Sequence, residues 1–330
     1  MTFDLLFRKI CNRLRCLVDL ITHFSKRHIL RETNPQMTAD YIYNALTSDK
    51  PCMIARYGSV ELYCLTNYMG VKKGRANFIR YILGKSEAWW WIPQRLYELQ
   101  NNAGFFSLKD SLIEQYCELI LTDTQELDIL ASWINKEILI EQNLEHCIKV
   151  FLPHLEPYYA REPWTRALEG KEVLVVHPFA NIIKQQYEEN RTKLFIDPQI
   201  LPLFDLKVLP AIQSIGGESN GFTTWFDALD YMKTEIDKIN YDICIIGCGA
   251  YGFHLAAHVK RMGKKAIHMG GATQLLFGIK GNRWEDPMYG VKEWGIPYGF
   301  YTDMFNDYWR KPGIEERPKK ADSVEGACYW

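Results

Sequence analysis

YDICIIGCGAYGFHLAAHVKRMGKKAIHMGG, residues 241–271, reads as a buried strand, a glycine turn, a helix and a second buried strand that ends in a glycine pair. The apolar run from Ile243 to Ile246 suits a parallel strand covered on both faces, and Gly247, Gly249 and Gly252 allow a sharp turn into the helix that follows. A helix starting there directs its first N–H groups at the end of the sheet, where a phosphate would be held. GCGAYG satisfies G-x-G-x-x-G, yet Met269 and Gly270 stand where a dinucleotide enzyme would carry an acidic residue for the ribose. The unit therefore points to a phosphate or nucleotide-sugar site ahead of NAD or FAD, with a purely structural turn as the other reading.

Outward from this unit, the chain offers further strand-to-loop junctions. KPCMIARYGSVEL (50–62) places a strand at Cys52–Ala55 and a helix beginning near Ser59, and KEVLVVHPFANIIKQQY (171–187) places a strand at Val173–Val176 and a helix over 180–189. Shorter strand signals stand at 147–151 and 207–210, and helices are expected over 38–46 and 224–239. The run SLIEQYCELILTDTQELDILASW (111–133) has helical periodicity throughout, and Trp89, Trp90 and Trp91 read as buried packing rather than an exposed aromatic platform. The expected fold is α/β, a Rossmann-like parallel sheet with βαβ units and an N-terminal amphipathic helix. It divides into a basic leader (1–33), an α/β body (34–310) with room for two lobes, and a loosely held polar tail (311–330).

Composition limits the function classes. A chain of 330 residues with 47% hydrophobic side chains has an ample core, and 39 basic against 40 acidic residues give a formal charge of -1, which argues against a nucleic-acid partner. Nine cysteines, odd in number and set in apolar runs, read as free thiols in a reducing compartment, and Cys244 and Cys248 lack the second pair a zinc site needs. No window supplies 18 uncharged apolar residues. The leader interleaves Leu5, Leu6, Ile10, Leu14 and Leu17 with Arg8, Lys9, Arg13 and Arg15. That pattern suits a helix lying on an anionic membrane surface through residues 1–31, or packed on the body or a partner. A cytoplasmic protein, at the inner face of the plasma membrane where the leader engages it, is expected.

In an open parallel sheet, ligands bind beyond the carboxyl ends of the strands, so residues just after the strands are the candidates. Arg56 presents a planar fork to phosphate or carboxylate, with an ion pair to Glu61 as its structural alternative. Glu61 suits a general base, a metal ligand or a helix-capping carboxylate, and Ser59 a hydrogen-bond donor or cap. His177, directly after VLVV, suits an acid, a base or a phosphate donor. Tyr57, Gly58, Asn181, Lys184, Gly247, Gly249, Ala250, Tyr251, Gly252, Gly270 and Gly271 complete the expected donor-binding set. Asp227 is a weaker carboxylate candidate, and His254 and His258, i and i+4 without the glutamate of H-E-x-x-H, read as packing or solvated residues. Neither S-x-x-K nor a Walker A sequence occurs.

IARYGSVEL (54–62), VLVVHPFANIIKQQY (173–187), IIGCGAYGFHLAAHVKRMGKKAIHMGG (245–271) and ATQLLFGIKGNRW (272–284) together resemble the GT-D type of glycosyltransferase, the group once called domain of unknown function 1792, and in particular its bacterial polysaccharide-locus branch. The resemblance spans most of residues 38–310. It implies a sugar transferred from a nucleotide-sugar donor to a growing polysaccharide or lipid-linked glycan. It also implies an Asp-x-Glu motif that handles a divalent metal and the diphosphate. Here that motif is Ser59-Val60-Glu61: Glu61 matches the glutamate, and Ser59 replaces the aspartate. Mn²⁺ or Mg²⁺ at Glu61 is the implied cofactor, and charge compensation by protein groups is its rival. Two other functions fit the same residues, an NAD-dependent oxidoreductase using the glycine loop and a non-enzymatic nucleotide-sugar-binding assembly protein.

Overall fold

The computed structural model describes residues 3–313, 317, 318, 320, 321 and 327–330. Seven strands, β1 (Cys52–Ala55), β2 (Ile129–Ser132), β3 (Ile148–Phe151), β4 (Glu172–His177), β5 (Asp205–Pro210), β6 (Ile243–Ile246) and β7 (Lys265–His268), form one sheet in the order β3-β2-β1-β7-β6-β4-β5. Every pairing is parallel. The longer helices are α1 (Phe3–Thr22), α2 (Pro35–Thr47), α3 (Ser59–Lys73), α4 (Phe78–Ile82), α5 (Pro93–Asn101), α6 (Asp110–Thr124), α7 (Ala180–Leu194), α8 (Trp225–Asp237) and α9 (Gly252–Arg261). This is the Rossmann-like α/β arrangement expected from the βαβ units.

The strands are short and apolar because each is covered on both sides. Met53, Ala55, Leu130, Leu174, Val176, Cys244, Ile246 and Ala266 enter one core with residues of α3, α6, α8 and α9. Their neighbours Cys52, Ile54, Ile129, Ala131, Val173, Val175, Ile243, Ile245 and Ile267 enter the other, with α2, α7 and the aromatic segment after residue 284. Alternation between the two cores along each strand is the period-two geometry of a pleated sheet.

Local signals set several helix starts. Asn34 accepts the Met37 amide (3.0 Å) ahead of Pro35, and Thr224 and Asp227 form a reciprocal capping box at the start of α8. Asp227, a candidate for chemistry, is therefore a structural cap. Trp89 is buried and packs edge-on against Tyr81 (5.6 Å) and Trp90 (4.7 Å), as expected, whereas Trp90 and Trp91 are half-buried.

Two expectations need correction. The helical run over 111–133 breaks after Thr124, and Ile129–Ser132 becomes β2, because a four-residue apolar strand buried on both faces lacks any period that separates it from a buried helix. The loosely held tail falls partly outside the described residues, and of its described part Ala321, Ala327, Cys328 and Trp330 are buried against the body. Among the described residues no helix is long and apolar enough to cross a membrane.

Ile245 lies at the centre of β6, completely buried. Ile245→Ala is expected to cost about 3 kcal/mol through lost transfer energy and a residual cavity, read as a lower urea midpoint with an unchanged slope. A loss under about 1 kcal/mol would mean that the strand is not sealed on both faces.

Candidate functional site

All seven carboxyl ends open into one cleft of about 220 Å³. Arg56 to Glu61 follow β1, Trp133 follows β2, Leu152 to Glu156 follow β3 and His177 to Phe179 follow β4; Ile212 to Ile215 follow β5, Gly247 to Gly249 follow β6 and His268 to Ala272 follow β7. This is the placement that a parallel sheet dictates for a ligand.

β1 builds the central feature. At its end the chain alternates, so Tyr57 turns down into the core, its ring stacked on Phe253 (4.8 Å) and its hydroxyl on Thr124 Oγ1 (2.6 Å), while Arg56 lines the cleft. The Tyr57 carbonyl accepts two hydrogen bonds, from Arg56 Nε (3.0 Å) and from the indole Nε1 of Trp133 (3.1 Å). The guanidinium sits over the Trp133 ring at 5.3 Å. Trp133 is fixed in turn by Glu137, whose buried carboxylate accepts the amides of Trp133 and Ile134 (both 3.0 Å) and the Ser132 hydroxyl. Among the described residues no acidic side chain forms a salt bridge with Arg56, so the ion pair with Glu61 is not formed.

Gly58 caps α3, and a Cβ there would collide with the carboxylate of Glu61, which folds back over the glycine. Ser59 and Glu61 both line the cleft. Gly270 has a left-handed φ of 64°, and a Cβ on it would stand 2.9 Å from Arg56 Nη1. A Cβ on Gly247 would meet the Gly270 carbonyl at 2.6 Å and the His177 ring at 2.7 Å. These glycines let β1, β4, β6 and β7 converge tightly around Arg56 and His177.

His177 is buried, and its Nδ1 accepts the Phe179 amide (3.0 Å), which leaves the ring proton on Nε2. Burial pulls its pKa down to about 3, so it acts as a neutral hydrogen-bond donor. An imidazolium acid is therefore the wrong role for it at neutral pH. His268 is its companion in the cleft: burial and then the Arg56 charge hold it down to about 3, and its Nδ1 donates to the Ile246 carbonyl (3.2 Å).

Several expected donor-binding residues have other work. Asn181 and Lys184 lie on the exposed side of α7 outside the cleft lining, and Lys184 stands 3.9 Å from Glu188. A helix over 180–189 was legible, but not its rotation. The Ala250 amide donates to the Ala103 carbonyl (3.3 Å), and the Gly247 amide continues the sheet to Val176 (2.9 Å). Tyr251 is buried at the cleft floor, stacked on Trp225 (4.8 Å) and bonded to Ser214 (2.8 Å). Gly252 makes room for the His268 ring, which a Cβ would strike. The GCGAYG turn thus serves packing more than expected, with Gly247, Cys248 and Gly249 reaching the cleft. His254 is buried on Asp123 (2.6 Å) and His258 pairs with Asp237 (2.8 Å), both structural as read.

Sequence reasoning missed an entire wall. Trp133, Trp284, Tyr289, Trp294, Tyr329 and Trp330 line the cleft with Arg283, which lies over the Tyr329 ring at 4.4 Å. Trp294 spans between Trp133 (6.1 Å) and Tyr289 (5.5 Å). Glu156 was also missed. It lines the cleft beyond β3, accepts the Tyr301 hydroxyl (3.0 Å), and is pushed up to about 8 by burial, so it carries a proton at neutral pH. The strand-end rule would have found it had β3 been followed five residues further.

Comparison of the chain with family models, with curated proteins and with solved structures finds no match. The fold is Rossmann-like. A cleft at the carboxyl ends of such a sheet is consistent with a nucleotide-binding enzyme in general. Among the described residues no group of three or more His, Cys, Asp or Glu side chains converges to hold a metal.

The titrations of the cleft have opposite signs. Glu156 holds its proton to about 8 when folded and releases it near 4.5 when unfolded, so its contribution to stability declines as pH rises through that interval. His177 and His268 take up protons below 6.5 only when unfolded, so theirs declines as pH falls from 6.5 toward 3. Glu156→Gln is expected to flatten the alkaline side: its Tm changes less than the wild type's between about pH 6 and about pH 8. Parallel Tm curves would show that the carboxyl is already ionised at the lower pH.

Proposed function

We propose that the protein is a GT-D type glycosyltransferase that moves a sugar from a nucleotide-sugar donor to a growing bacterial polysaccharide or lipid-linked glycan. The observation that carries the proposal is Arg56: a guanidinium anchored through Nε to the Tyr57 carbonyl and stacked on Trp133, with no carboxylate partner among the described residues, in a cleft shared with Glu61. Holding a cation in place without neutralising it favours an anionic ligand. The aromatic wall around Trp133, Tyr289 and Trp294 supplies faces on which a base or a sugar ring can stack.

In the transfer, the bond between the anomeric carbon and the acceptor oxygen forms as the bond to the diphosphate breaks. The diphosphate leaves with the electron pair, toward Arg56 and the neutral Nε2–H of His177. The acceptor hydroxyl gives its proton to Glu61 as general base. Ser59-Val60-Glu61 does not fit an all-protein metal site, and it fits a divalent ion held mainly by the donor's phosphates with Glu61 as its protein carboxylate. When bound, Mg²⁺ or Mn²⁺ would supply further charge neutralisation. Glu61 has one of these two roles, and the metal response separates them.

The test is thermal-shift binding across UDP, GDP, CMP and NAD(H), each with and without Mn²⁺. Stabilisation by one nucleoside diphosphate is expected, with Arg56→Ala weakening it by about 2 kcal/mol, roughly thirtyfold in affinity. Loss of the Mn²⁺ increment in Glu61→Gln would assign Glu61 to the metal, and loss of transfer with binding intact would assign it to proton removal. Stabilisation by NAD(H) alone would overturn the proposal in favour of an oxidoreductase. Binding without donor turnover across varied acceptors would favour an assembly role.

A further inference from the structure

Helix α1 is docked along one edge and apolar along another. Its docked edge carries Phe7, packed on Phe78 (5.5 Å) and Trp89 (5.8 Å), and the buried Cys11. It also carries Arg15, which donates to the carbonyls of Tyr81 and Ser86 (2.7 Å each). About a quarter-turn around the helix, Phe3, Leu6, Ile10, Leu14, Leu17 and Ile21 form a continuous stripe at helical spacing, and all six are exposed, Phe3 by 74% and Ile21 by 81%. Contiguous exposed apolar surface of this kind marks an interaction site.

Charge identifies what the stripe meets. Residues 1–31 hold seven basic and two acidic side chains, whereas the rest of the chain holds 32 basic and 38 acidic ones. Arg13 and Lys9 border the stripe on the side away from the body, and Lys26 and Arg27, also exposed, follow the helix. A positive, amphipathic helix fixed to an otherwise acidic body matches an anionic lipid surface, with the stripe entering the acyl boundary and the cations meeting the headgroups. A second copy would bring the same positive segment against itself.

The leader is tied to the rim of the cleft. Arg31 donates to the Ser132 carbonyl (2.8 Å) at the end of β2, and Asn135, two residues beyond the cleft residue Trp133, donates to the Ser25 carbonyl (3.3 Å). We infer that α1 is an interfacial anchor that seats the protein on an anionic membrane with the carboxyl-end rim of the sheet beside the lipid. This goes beyond the transferase proposal and stands without it; under that proposal it favours a lipid-linked acceptor.

Flotation with vesicles of phosphatidylcholine containing about 30% phosphatidylglycerol tests it. The full chain is expected to float with these vesicles, to float poorly with pure phosphatidylcholine, and to release as salt approaches about 0.5 M. Leu17→Glu with Ile21→Glu is expected to lower the bound fraction at least about tenfold with an unchanged melting curve, because both side chains are exposed. Lys26→Gln with Arg27→Gln should weaken binding to the anionic vesicles while leaving the stripe intact. No flotation by the wild-type chain, or undiminished flotation by the Leu17/Ile21 variant, would overturn the inference. So would a wild-type dimer in light scattering that this variant abolishes while no vesicle binding is seen, which would assign the stripe to a second copy. Nucleotide binding does not enter these readouts, so failure here leaves the transferase proposal standing.

Discussion

The rest of this molecule depends on a sheet whose strands all run the same way and are sealed on both faces. Parallel pairing requires each connection to cross the sheet, so helices cover both sides and every carboxyl end reaches one rim. The cleft is a consequence of that constraint. No single loop forms it; seven strand ends do, and each supplies a few residues to one volume.

Within the rim, the Tyr57 carbonyl has a disproportionate part. One acceptor orients both a cation and an indole, and its own residue is pinned below by Thr124 and Phe253. Arg56 and Trp133 follow strands whose ends lie 77 residues apart in sequence yet share that oxygen, so their relative position is set by backbone rather than by flexible side chains. Such preorganisation is what a site needs if it is to hold charge without reorganising around it.

The fold was legible where the physics is local. β1, β4 and β6 announced themselves as short apolar runs followed by turns, and the residues after them, Arg56, Glu61, His177 and Gly247, do meet in the cleft. β2 was hidden because Leu127 to Ala131 continues the apolar spacing of α6. Side-chain direction was hidden too: nothing in FANIIKQQY says that Asn181 and Lys184 face solvent, since that depends on how α7 is rotated against β4 and β5. The ionisation state of Glu156 and the aromatic wall were illegible for a further reason. Both arise from loops and single-turn helices too short to carry a sequence period, and only the tertiary arrangement brings Tyr301, Trp294 and Tyr329 to the rim.

The centre of the sheet is the pairing of β1 with β7, Cys52 against Lys265 and Ile54 against Ile267. On a ribosome the first of these strands emerges long before its inner neighbour exists, and until then it can pair only with β2. The nascent chain must therefore keep an apolar edge from finding a wrong partner while more than half of the polypeptide is still being made. Arg56, at the end of that strand, waits equally long for Gly270 to close around it. The cleft is thus completed late and all at once, when the two halves of the sheet join.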